Sequence, residues 1–424
     1  FADFGTYDVS ITVPPEYLIA ATGHKLEARE NPDSTKTFVF RAEDVHDFAW
    51  AASPNYEVSK RIADGIELSF YYKSEHEDAV ERIMNDAEFA LKYYNSSFGK
   101  YPYGHLNIVD AKIGVAGGAM EYPTLVTIRP SGLPPDKIRA DAMILFHEIA
   151  HQWWYGMVAS NEFEEAWLDE GFAVYSGRAA LEKRFGKDAN IIDLWKIKMS
   201  ALDYARFGNL LDLQSDPVVK NSWEFRNYVS HHSKVYLKAS LILETLKNYI
   251  GEEMMDQVLK EYFRRHKFGH PKTSDFVQAV NRVSGEDFTF FFQQLLYGTG
   301  FCDYEVTSIE SVPVEGGNGE EEYKVEVQLR RLGEVIIPVD LEIELEDGEK
   351  IRGAWDGKER WYKTEIQTNS EIKSAVIDPE NKIVLDINFN NNSLTARSND
   401  SVMMKLSSEC LFWLENLMHL ITCF

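Results

Sequence analysis

The stretch DAMILFHEIAHQWW, residues 141 to 154, decides how this chain is read. It holds no proline or glycine, and its apolar residues flank two histidines, a pattern that predicts a buried helix. Two residues four apart differ by about 40° around a helix axis. His147 and His151 therefore project from one face toward a common point, as a shared metal ion requires. Glu148, one residue on, is turned to the flank of that point, near enough to hold a water without ligating the metal.

Working outward, a hydrolytic zinc site needs a third protein ligand and keeps a fourth position for water. WLDEGFA, residues 167 to 173, supplies Glu170, which follows His151 after eighteen intervening residues. That gap suffices to end one helix, turn through the acidic loop 160 to 165, and start a second helix packed antiparallel against the first. Two histidines and one glutamate form the ligand set of thermolysin-type zinc hydrolases. In a chain so poor in histidine, an HExxH match is expected by chance only ~0.03 times. Two other readings of the same residues are a buried helix with hydrogen-bonded core histidines and a closed structural zinc site. The second would call for a fourth Cys or His, and no cysteine lies near.

Further from this centre the chain changes character. Residues 1 to 70 read as β, with YDVSITV, KTFVF, NYEVS and GIELSFYY separated by turn signals, and form a small or truncated sheet domain. Residues 71 to 300 read as a mainly helical, thermolysin-like catalytic domain with a small embedded sheet. Its helices are expected at 78–98, 135–154, 166–185, 188–206, 233–249, 252–266, 274–283 and 287–297. Residues 301 to 390 read as a β-sandwich, and 391 to 424 as a polar linker followed by an apolar amphipathic tail. The fold class is thus α+β and multidomain. The tail's apolar run, Cys410 to Phe424, is interrupted by Glu415 and His419 and is too short to span a bilayer, so it reads as a helix able to contact a membrane or a partner chain through residues 400–424.

Composition narrows the function classes. The 424 residues carry 68 acidic and 44 basic side chains, a net charge of −24, which argues against nucleic acid as a partner. The ninety residues from 301 to 390 hold 22 acids and 10 bases, half of that excess, and none of the candidate site. Three cysteines, all beyond residue 300, form no disulfide framework and leave the compartment unknown. The chain starts at Phe1 and runs at once into strand-like alternation, which reads as a piece of something longer.

Three elements in order, GAMEY at 118–122, HEIAHQWW at 147–154 and WLDEGFA at 167–173, resemble the aminopeptidase N family of gluzincin-type HExxH zinc metallopeptidases, which includes membrane alanyl aminopeptidase. The family pattern has Asn where this chain has Tyr122 and Asp169, and by the same resemblance YDVSITVP and DFAWAASP make residues 1–70 look like the end of the family's N-terminal β domain. The resemblance implies one Zn2+ per chain, held by His147, His151 and Glu170, with Glu148 as general base. It implies that Glu121 holds the free α-amine of a peptide substrate, and that the backbone of Gly118 and Ala119 pairs with the peptide as an added strand. A tyrosine about 65 residues past the glutamate ligand stabilises the oxyanion in this family; Tyr236 lies 66 residues past Glu170, with Tyr228 as a rival. The implied partners are peptides with a free N-terminus. Alternatives are a zinc endopeptidase of the same fold and a non-catalytic membrane-associated binding module. His231 and His232 read as surface residues at a helix entry, FTFFFQQLLY at 288–297 as core, and the acidic run 320–322 as a solvated turn.

Overall fold

The computed structural model of the protein describes residues 2–111, 118–187, 189–315, 321–397, 404–408, 410–412 and 414. The glycine-rich run before Gly118, Glu320 and the tail beyond residue 414 lie outside the described residues. The chain forms two compact units. One reaches to Phe301 and includes Lys382–Leu385; the other comprises Cys302–Asn381 and the described residues from Asp386 onward.

The first unit begins with antiparallel strands. Gly5–Val13 pairs with Lys36–Val45, which pairs with His24–Glu30, and Leu18–Ala21 pairs with Trp50–Ser53. In the register Val9↔Phe40 and Ile11↔Phe38, alternate side chains point the same way, so Ile11, Val13, Phe38 and Phe40 share a core with Ile19 and Ala21. Tyr56–Ala63 and Ile66–Lys73 form a hairpin on Asp64 and Gly65, both at positive φ, the two-residue turn that matches strand twist. Ile66–Lys73 then pairs in parallel with His105–Asp110, and that strand with Leu125–Ile128. Parallel strands are covered on both faces, and His105–Asp110 and Leu125–Ile128 are buried throughout. Ile66–Lys73 runs unbroken across residue 70, so this sheet joins residues on both sides of the boundary expected there.

Helix Val80–Ser97 crosses over between the first two parallel strands and packs against helix Ala140–Ala150, the HEIAH helix. The contact is pinned where the Tyr94 hydroxyl donates to the Phe146 carbonyl at 2.8 Å. The HEIAH helix starts at Ala140 and not near Pro135, because Pro134–Ile138 forms a turn and Lys137–Arg139 then lends its backbone to a neighbouring strand. That strand is the main departure from the expected elements. Residues 189–200 form a hairpin, Asn190–Leu194 with Ile197–Ser200, where a helix was expected from 188. Helix Ala201–Leu210 begins only at the Ser200/Asp203 capping box. The β-branched Ile191, Ile192 and Ile197 favour strand, and Ser-x-x-Asp is a helix start, so local chemistry agrees with the observed break.

Five further helices of eight residues or more, Trp167–Phe185, Ala239–Ile250, Glu252–His266, Thr273–Ser284 and Thr289–Leu296, belong to the same unit. In the last of these Phe292, Leu295 and Leu296 are core while Phe290 is exposed, so only one face of the expected core run is buried. The second unit is a β-sandwich of a three-stranded sheet, Tyr304–Glu315, Glu321–Arg331 and Trp361–Thr368, and a four-stranded one built on Val339–Leu345. Val339–Leu345 buries every second residue, as a sheet with one solvated face must. Among the described residues no helix is long and apolar enough to cross a membrane.

Candidate metal centre and substrate site

The two helices that carry HEIAH and WLDEGFA meet at a glycine. A Cβ on Gly177 would lie 3.2 Å from the His147 backbone nitrogen, so the absent side chain is what lets the backbones approach. Behind them Trp153 and Trp154 are fully buried, their indole N–H groups donating to the Gly99 carbonyl at 2.7 Å and to Ser176 Oγ at 2.9 Å. This aromatic floor fixes where the helix ends and hence where His151 sits.

His147 Nε2, His151 Nε2 and Glu170 Oε2 form a triangle with sides of 3.1, 3.2 and 3.3 Å. Three ligands of a tetrahedral ion at ~2.05 Å stand ~3.3 Å apart, so this donor set fits zinc without rearrangement. Glu170 Oε2 is buried with no hydrogen-bond partner, as expected of a ligand atom. Asp169 Oδ1 accepts the His151 Nδ1 proton at 2.5 Å, which leaves Nε2 with its lone pair toward the triangle. Sequence reasoning noted Asp169 only as a replaced asparagine; its part in orienting His151 becomes visible once the helices are packed.

Glu148 is buried and its Oε2 also lacks a partner. Burial, reinforced by the neighbouring Glu121 charge, holds its carboxyl well above the usual range. Burial likewise pushes Glu121 up to about 7, the nearby Glu170 adding to the rise and His151 opposing it. A site crowded with this many buried carboxylates is completed electrostatically by a cation. Oxygens of Glu121 and Asp169 and a ring nitrogen of His151 all lie within 4.8 Å of one another, which places Glu121 on the flank of the ligand set.

Tyr236 reaches the centre from a third element. Its hydroxyl donates to Glu170 Oε1, and its ring stacks on that of His147 with centroids 6.1 Å apart. It sits on the π-helical turn His232–Lys238, an irregularity that sequence periodicity does not signal and that recurs at functional sites. Tyr228, the rival, is exposed, its ring 6.1 Å from His232. His232 is half-buried, not simply a surface residue: its ring lies 4.6 Å from Tyr236, its Nδ1 is buried without a partner, and it lines a cavity beside the triangle. His231 is half-buried against Phe225. The cavity holds about 180 Å³ and is walled by Met143, Ile144, Val174, Ala201, Tyr204 and Leu237 together with His147, Glu148 and Tyr236.

Gly118 is exposed and Ala119 half-buried, and they lead into Met120, whose carbonyl accepts from Thr127 N–H at 2.8 Å. The GAMEY segment therefore borders the strand Leu125–Ile128. The donor triangle, Glu121, Glu148 and Tyr236 thus gather in one region with His232 beside them, while Tyr228 stands exposed.

The family model for the Peptidase family M1 domain matches residues 82–295, slightly more than half of the chain. This chain belongs to peptidase family M1. Aminopeptidase 2 of Candida albicans is 29% identical over 290 residues, covering 65% of this chain and 29% of that protein. Glutamyl aminopeptidase of Bos taurus is 28% identical over 302 residues, covering 66% and 30%. Among solved structures, the crystal structure of Legionella pneumophila aminopeptidase A in complex with aspartic acid superposes with a TM-score of 0.71 at 15% identity, over 92% of this chain and 47% of that one. The fold is therefore that of the M1 peptidases, and this M1 chain spans about 30% of the length of the curated relatives it matches.

Proposed function

We propose that this chain is the catalytic part of a zinc-dependent aminopeptidase that removes N-terminal residues from peptides. The observation that carries the reading is the donor triangle of His147, His151 and Glu170 with two further buried carboxylates, Glu148 and Glu121, beside it. Zinc in that triangle would polarise the scissile carbonyl and acidify water. Glu148, close by but outside the ligand set, takes the proton of the attacking water and returns it to the departing amine. The Tyr236 hydroxyl turns from Glu170 to donate to the oxyanion of the tetrahedral intermediate. Glu121 receives the substrate's free ammonium group, and Gly118 and Ala119 offer unencumbered backbone to the peptide. The almost wholly apolar cavity beside Glu148 suits an apolar substrate side chain. The names of the relatives, aminopeptidase 2 and glutamyl aminopeptidase, support the same activity.

The test is hydrolysis of aminoacyl-aminomethylcoumarin substrates by zinc-loaded, chelator-stripped and Glu148→Gln protein. Activity is expected only in the first, with Glu148→Gln retaining zinc and losing about 10² to 10⁴ in kcat. Full activity after chelation, or in Glu148→Gln, would contradict the reading.

A further inference from the structure

Behind Glu121 the chain makes a constrained turn. Leu125 N–H donates to the Tyr122 carbonyl at 2.9 Å, closing Tyr122–Pro123–Thr124–Leu125, and Thr124 stands at φ 60°, the left-handed region that β-branched residues avoid. Thr124 is wholly buried, so this conformation is imposed by its surroundings. The Gln152 side chain does much of this. Its Oε1 accepts the Thr124 N–H at 2.8 Å and the Tyr101 hydroxyl at 3.5 Å, while its Nε2 donates to the Tyr122 carbonyl at 3.1 Å and the Glu121 carbonyl at 3.3 Å. Both N–H donors of the amide and its oxygen are thus engaged, the Tyr101 hydroxyl sharing its proton with the nearer His105 carbonyl at 3.1 Å. Thr124 is held from other directions too: its Oγ1 accepts from Gly23 N–H at 3.0 Å and its carbonyl from Asn107 N–H at 2.9 Å.

Gln152 directly follows His151 and is buried; its side-chain hydrogen bonds go to Tyr101, Glu121, Tyr122 and Thr124, and it does not line the cavity beside the triangle. Its two donated bonds grip two successive carbonyls, those of Glu121 and Tyr122, the first of them on the residue whose carboxylate flanks the ligand set. We propose that Gln152 is a positioning residue that ties the end of the metal-ligand helix to the Glu121 backbone, and so sets the distance between the ligand set and the carboxylate that receives the substrate's amine. This rests on the amine-binding reading of Glu121. The strut acts through Glu121, so its loss changes capture of a free amine more than the chemical step.

The experiment compares Gln152→Met, similar in shape but without the four hydrogen bonds, with Glu121→Gln and the double variant, using leucyl-aminomethylcoumarin and zinc analysis of each protein. Gln152→Met is expected to bind zinc like the wild type, to raise KM about tenfold and to leave kcat within about threefold. In the Glu121→Gln background it is expected to add less than about twofold, because the two changes remove one interaction. Gln152→Glu, which keeps the acceptor for Thr124 but cannot donate to the two carbonyls, supplies the same comparison if the methionine variant fails to fold. Loss of zinc together with kcat, an unchanged KM, or a full additional effect in the double variant would overturn the proposal. If Glu121→Gln raises KM and Gln152→Met does not, the strut alone falls; if Glu121→Gln leaves KM unchanged, the amine-binding reading falls and takes the strut with it.

Discussion

Four carboxylates, Glu121, Glu148, Asp169 and Glu170, gather around two imidazoles, and their different surroundings separate their roles. Glu170 aims an unpaired oxygen into the triangle, Asp169 is spent on His151 Nδ1, and Glu148 and Glu121 are buried beside the ligand set, which suits the proposed roles of general base and amine anchor. Replacing Asp169 by Ala removes the partner that orients His151, and zinc affinity is expected to fall about 10 to 100-fold, measured by competition with a chromogenic chelator. An unchanged affinity would mean that the histidine is held by packing alone. Tyr236→Phe keeps the ring on His147 but removes the hydroxyl, so kcat is expected to fall about 100-fold with KM little changed. At this scale the sequence was most informative, because ligand chemistry is written in residue type and spacing. The spacing of HEIAH and WLDEGFA already named the triangle, whereas the place of His232 depended on a π-turn that shifts the helix phase and carries no compositional signal.

At the level of elements, close approach and burial set what can be exchanged. A Cβ on Gly171 would stand 2.6 Å from that of Ala239, where the glutamate helix crosses the helix that continues from Tyr236. Gly171→Ala is therefore expected to cost about 1–3 kcal/mol in chemical denaturation, despite alanine's better helix propensity. On the strand His105–Asp110, neither ring nitrogen of His105 has a hydrogen-bond partner, and burial together with the neighbouring His24 holds the imidazole down to about 4. Above the ordinary value of 6.5 the ring is neutral in both states and contributes nothing; below it the unfolded chain takes up a proton that the folded chain refuses. Stability is thus lost as pH falls from 6.5 toward 4, by about 2 kcal/mol between pH 7.5 and 5. His105→Phe is expected to remove that part of the slope in urea titrations at the two pH values; an unaltered slope would show that His105 is protonated in the folded protein. The expected helix over 188–206 failed for a reason of the same kind, since an amphipathic run with β-branched residues fits either period and the pairing of Ile138 with Ile192 chose the strand.

Over the whole molecule, the candidate site residues belong to one of the two units. All three triangle residues lie before Phe301, and the sandwich of the second unit carries half of the excess negative charge with none of the site residues. Alternating strands and turn residues made that sandwich legible from sequence, but the sheet through Ile66–Lys73 was not, because parallel pairing between distant segments leaves no local pattern. Zinc bound only to the folded first unit would stabilise it by ~4 kcal/mol at a thousandfold excess over Kd. Chelation is accordingly expected to lower the calorimetric transition of that unit and to leave that of the sandwich in place; an equal shift of both would contradict a site confined to the first unit. The central claim is that the metal triangle and Glu121 together make an enzyme for free N-termini. It is tested most directly by the ratio of kcat/KM for a leucyl peptide with a free amine to that for its N-acetylated counterpart, measured on the zinc-loaded protein. The account predicts a ratio of about 100 or more that collapses toward one in Glu121→Gln; equal cleavage of both peptides by the wild type would contradict it.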